Sequence, residues 1–107
     1  MENTDLVRVR DAVAQGWDLP AAPGGVPESR AAILEALAQR VRHLLDHDFN
    51  RLLSAMYLLD VSEERFRNAL AHGDRDTASA TLAEIILERE IEKMESRERF
   101  SRGAPGG

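Results

Sequence analysis

Apolar residues recur along this chain every three or four positions, the spacing that lines one side of an α-helix, and alternating runs that would build strands are few. Leu6, Val9 and Val13 fall on one face of a short N-terminal segment that Asn3 or Thr4 can cap and Gly16 can stop. LVRVR within it also suits a small strand, but there is no second strand to pair with it, so a helix is expected. Ile33, Leu34, Leu37, Val41, Leu44 and Leu45 predict a helix beginning near Pro27, with Arg30, Glu35, Gln39, Arg40 and Arg42 largely on its other side. FNRLLSAMYLL, from Phe49 to Leu59, is apolar almost all round, the pattern of a helix packed on more than one side or half covered by a second copy.

Asp60 and Val61 then make a turn. Ser62 caps a short helix that carries Glu63 and Glu64 at its positive end and turns Phe66, Ala69 and Leu70 inward. Gly73 is the expected left-handed stop. The last helix starts after Asp74 or Asp76 and runs to Phe100 with two apolar seams. Ala78, Leu82, Ile85 and Ile86 form one; Leu87, Ile91 and Met94 form the other. Two seams imply two neighbours: the helix's own bundle and, on this reading, a second copy.

The elements predict an all-α fold, a small bundle of about four helices. Two of them are long and antiparallel, around Glu28–Asp60 and Asp76–Phe100, and a flexible C-terminal tail comes after them. An N-terminal arm over 1–18 and a Pro/Gly linker over 19–27 precede the bundle, which spans 28–100; the tail is 101–107. LPAAPGGVP and the closing GAPGG hold all four prolines and most of the glycines, the chemistry of linkers and ends.

One interruption stands out. Asp46-His47-Asp48 cuts into the most apolar part of the chain, LLDHDFNRLL. If the helix runs straight through, Asp48 lies on the face of Leu37, Val41 and Leu45 and needs a buried partner, such as an arginine from another helix. If the helix breaks, Asp46 or Asp48 can cap the next one. Because no strong breaker is near, a continuous or mildly kinked helix is expected.

Composition narrows the chemistry. At 107 residues the chain makes one domain, and with no cysteine it has neither disulfides nor thiolate ligands. A net charge of −5 works against a phosphate-backbone binder. No window has the apolar length of a membrane span, and MENTDLVRVRD lacks the order of a signal peptide, so a cytoplasmic location is expected.

His43 and His47 stand four apart, the spacing at which two imidazoles on a helix can meet one metal ion, with Asp46 and Asp48 beside them. Both histidines, however, project away from the apolar stripe, and the Glu-x-x-His of carboxylate-bridged centres is missing, so exposed histidines beside a helix junction are preferred. The serines lack a glycine-framed elbow, Asp60, Glu63 and Glu64 are ordinary for a helix start, and phosphate-binding glycine motifs are absent. We therefore expect no catalytic, metal-ligating or cofactor-binding residues and no cofactor.

Glu84, Glu88, Glu92 and Glu95 share one helix face and repel one another; Arg40, Arg42 and Arg51 are the internal cations expected to compensate, a basic partner being the alternative. Trp17 can pin the arm to the bundle or serve an interface, with pinning preferred. Met56 and Tyr57 are core on the plain reading and a dimer seam on the sharper one. Asp48, Asp60 and Ser62 are candidates for a buried ion pair or a helix cap. Arg97, Arg99 and Arg102 beside Phe100 could touch nucleic acid, but the alternating glutamates favour a solvated helix end.

DFNRLLSAMYLLDVSEERF (Asp48 to Phe66) and AEIILEREIEKMESRERF (Ala83 to Phe100) resemble a group of small bacterial helical proteins. Their shared pattern is an Asp-Phe opening, an apolar run with Tyr, an Asp-Val-Ser-Glu turn and a late Ile-Ile-x-Glu-Arg stretch. The resemblance covers about the last two-thirds of the chain and implies an all-helical fold without an activity, cofactor or ligand. Where that group has Arg or Lys between the Tyr and the turn, this chain has Leu58 and Leu59. The expected function is a non-enzymatic helical interaction module. It is expected to form a homo-oligomer or bind a protein partner through Tyr57, Met56, Leu87, Ile91, Met94 or Trp17. A metal-binding or enzymatic use of His43, Asp46, His47 and Asp48 is the alternative, and nucleic-acid contact through the Arg-rich end is a second.

Overall fold

The computed structural model describes residues 3–19 and 29–103, and side chains over 8–19 and 29–97. Among these it has five helices and no strand: α1 (Asn3–Trp17), α2 (Arg30–His47), α3 (Phe49–Leu58), α4 (Glu63–Ala71) and α5 (Arg75–Gly103). The expected linker, apart from Leu19, and the last residues of the expected tail lie outside the described residues. The backbone of α5 continues to Gly103, into the segment expected as tail.

The fifth helix arises at the triplet. The expected continuous helix is instead two, because Asp48 leaves helical geometry at φ −154° and ψ 69°. It serves both neighbours. Its backbone N–H closes α2 on the Leu44 carbonyl at 2.8 Å, and its carboxylate accepts from the Arg51 N–H at 3.2 Å to open α3. A short polar side chain that satisfies an orphan donor is enough to end one helix and start the next, without glycine or proline.

Other ends obey the same logic. Ser29, Ser62 and Asp74 accept from Ala32, Arg65 and Thr77 N–H groups, so α2 starts behind Ser29 and not near Pro27. α1 runs through Gly16, the expected stop; its left-handed residue is Asp18, at φ 54°. At the end of α3, Asp60 takes φ 65°, its N–H reaching the Tyr57 carbonyl at 3.0 Å while the Val61 N–H reaches that of Met56 at 3.1 Å. Val61 and Met56 are both buried, the apolar contact that accompanies this double-bonded helix end.

α2 and α5 make the main pairing, and α5 also meets α4 and α1. Ile33, Leu37, Val41 and Leu44 from α2 pack with Leu82, Ala83, Ile86 and Leu87 from α5, while Val9, Val13 and Trp17 bring α1 in. The second seam of α5 is therefore not spare: Leu87 is fully buried, and Ile91 and Met94 pack against the same core. The C-terminal end of α2 meets the N-terminal end of α5 through ion pairs, Arg42 with Asp76 and Asp46 with Arg75. Trp17 is buried, and the Arg40 Nε donates to its carbonyl at 3.0 Å while the guanidinium faces Asp18, which ties α1 to α2.

Candidate interaction surface

α3 is the most apolar of the helices by sequence, yet α2, its neighbour in the chain, is its main helical contact. Leu52, Met56 and Leu59 point into the core. Phe49, Leu53 and Tyr57, each four residues after the last, form a stripe on the adjoining face, exposed by 41 %, 39 % and 84 %. Leu58, on another side, is 77 % exposed. These four are the exposed large hydrophobic residues among the described ones, and all belong to one ten-residue helix. Water-facing leucine, phenylalanine and tyrosine occur singly on many surfaces; their concentration on one helix marks a patch.

At its N-terminal end the patch leans on α4, with the Phe49 and Phe66 rings 6.0 Å apart. An open cleft of about 440 Å³ borders Phe49, lined also by Leu45, Leu70 and Ala78. At its C-terminal end, Arg89 of α5 donates from Nε to the Leu59 carbonyl at 3.0 Å and from its guanidinium to Glu92. That places one member of the acidic row beside the end of α3.

Of the interface candidates, Tyr57 stands on the surface. Met56, Leu87 and Trp17 are buried within this chain, and Ile91 and Met94 are partly buried against its core. Asp48 and Ser62 are helix caps, and Asp60 is exposed in the left-handed turn after α3. The acidic row is exposed, and the arginines expected to neutralise it are engaged elsewhere: Arg40 with Trp17 and Asp18, Arg42 with Asp46 and Asp76. Among the described residues, Glu92 is paired by Arg89 from its own helix, and no ion pair joins Glu84, Glu88 or Glu95 to Arg51. Glu90, off the row and half buried, has its carboxyl pushed above the ordinary range by desolvation, which outweighs nearby Lys93 and Arg97.

His43 and His47 are exposed, with rings 4.6 Å apart. The carboxylates beside them are already used, Asp46 by Arg75 and Arg42 and Asp48 by α3. Among the described residues no three His, Cys, Asp or Glu side chains gather as a metal-sized group, and no helix is long and apolar enough to cross a membrane. Arg97 is exposed; the side chains of Arg99, Phe100 and Arg102 lie outside the described residues.

Sequence reasoning did not single out Phe49, Leu53 or Arg89, and noted Leu58 only as a departure from the resembled pattern. The apolar character of FNRLLSAMYLL was the available signal for Phe49, Leu53 and Leu58, since a ten-residue helix cannot bury residues on every side against one neighbour. Arg89 lies one turn beyond Ile85 and so faces the same side of α5. No family model, curated protein or solved structure matches the chain.

Proposed function

We propose that this protein is a non-enzymatic helical interaction module that associates with a second copy of itself through the exposed face of α3. The observation that carries this reading is the concentration of exposed Phe49, Leu53, Tyr57 and Leu58 on one short helix. An aromatic ring with a polar tip, set among aliphatic side chains, gives a large contact area at low conformational cost, which is why tyrosine anchors many interfaces. α3 carries one charged side chain, Arg51, so little desolvation opposes its burial.

Light scattering of the wild type and of Tyr57→Lys tests the reading. A wild-type mass rising reversibly with concentration, with Tyr57→Lys remaining near the 11.9 kDa of one chain, supports it. A wild type that scatters as one chain at every concentration overturns it.

A further inference from the structure

We propose that His43 and His47 form a two-imidazole chelate for a late first-row divalent cation, copper(II) or nickel(II), at the C-terminal end of α2. The site is separate from the exposed face of α3 and does not depend on self-association.

The two histidines stand four apart on α2, so they lie one above the other on one face across its final turn. Their ring centres are 4.6 Å apart and the ring planes are tilted by 43°. A metal–imidazole bond of about 2.0–2.1 Å puts each ring centre roughly 3.2 Å from a shared ion. Two rings at a right angle about that ion are then about 4.5 Å apart, and at a tetrahedral angle about 5.2 Å. The observed spacing is that of the right angle, which suits tetragonal copper(II) and nickel(II) better than four-coordinate zinc. Both residues are exposed, so an ion can keep water in its remaining positions and needs no third side chain.

The surroundings narrow the ligand chemistry. The carboxylates on either side of His47 are engaged, Asp46 by Arg42 and Arg75 and Asp48 by the start of α3. That leaves imidazole nitrogen as the donor, which selects copper, nickel or zinc over magnesium, calcium or manganese. Copper(II) binds such sites most tightly of the first-row divalent ions. A helix C-terminus carries partial negative charge on its last carbonyls, which favours a cation there. Arg42, beside His43 in the chain, is paired with Asp46 and Asp76, which offsets its repulsion of the ion. A bound ion clips the last turn of α2 just before the break at Asp48, and so stabilises the folded chain.

Calorimetric titration with copper(II) or nickel(II) salts in a weakly coordinating buffer, alongside unfolding in the same salts, tests the site. The wild type and His72→Ala should each bind one ion per chain. His43→Ala and His47→Ala should bind on the order of tenfold or more weakly, because a single imidazole replaces a chelate. Free copper(II) at about 100 times its dissociation constant should raise the wild-type folding constant about 100-fold, and magnesium should leave it unchanged. The electron paramagnetic resonance of the copper complex should show both imidazole nitrogens. Variants of His43 and His47 that bind copper within about threefold of the wild type place the ion elsewhere and overturn the proposal. Zinc bound more tightly than copper overturns the choice of metal. Both results leave the α3 contact untouched, since that is read from mass against concentration without metal.

Discussion

Replacing Asp48 with alanine tests what separates α2 from α3. The carboxylate satisfies the Arg51 N–H at 3.2 Å, and alanine leaves that donor to solvent. Losing such a cap costs about 1 kcal/mol, within a usual range of roughly 0.5–2. Alanine also favours helical geometry at a position that now stands at φ −154°, so it rewards a straight run through the junction. That straight run would swing Leu52, Met56 and Leu59 out of the core, and this prevents the gain in propensity from being realised. The expected result is a loss of about 1 kcal/mol, seen as a fall of roughly 4–8 °C in melting temperature. Asp48→Asn, which keeps an accepting oxygen, should lose only a few tenths of a kcal/mol. Thermal unfolding monitored by circular dichroism measures both. An alanine variant as stable as the wild type, or more so, would mean that the carboxylate does not hold the break.

Three further outcomes arise from buried or constrained groups. The Ser79 hydroxyl is buried on α5 with no hydrogen-bond partner among the described residues, so Ser79→Ala should stabilise the protein by about 1 kcal/mol in urea unfolding; destabilisation would reveal a partner. Gly73 stands at φ 86°, and a Cβ there would lie 2.8 Å from the Cβ of Thr77, so Gly73→Ala should cost at least about 1–2 kcal/mol in the same assay, and a neutral effect would refute the crowding. Burial raises the pKa of Glu90 in the folded chain, so its protonation favours folding in acid and that contribution is lost as pH rises through the folded value. Glu90→Gln should therefore stabilise at neutral pH, by a few tenths of a kcal/mol because half the group faces solvent, and the gain should vanish below the ordinary value of 4.5; a gain that persists in acid refutes the assignment.

The helices were legible where periodicity is strong. Ile33, Leu37, Val41 and Leu44 mark the core face of α2, and Ser62 marks the start of α4. The break at Asp48 was not, because a cap competes with helix continuation by only about 1 kcal/mol and tertiary burial of α3 decides the outcome. Gly16 and Asp18 teach the same point. The residue best suited to a left-handed stop was passed over, and an aspartate took that geometry one position beyond Trp17. Met56 and Tyr57 are neighbours in an apolar run, yet one is buried and the other exposed, a difference set by how α3 lies on α2. The second seam of α5 was legible as a seam, but its neighbours within the chain could not be read from spacing alone.

The central claim is that the outer face of α3 is a contact surface between copies, and an NMR dilution series tests it most directly. Amide resonances of Phe49, Leu53 and Tyr57, their aromatic signals and the Leu53 methyls should move together, and reversibly, as concentration rises from micromolar to millimolar, while those of the α2–α5 core stay fixed. Resonances of α3 that keep constant positions and widths over that range would contradict the claim.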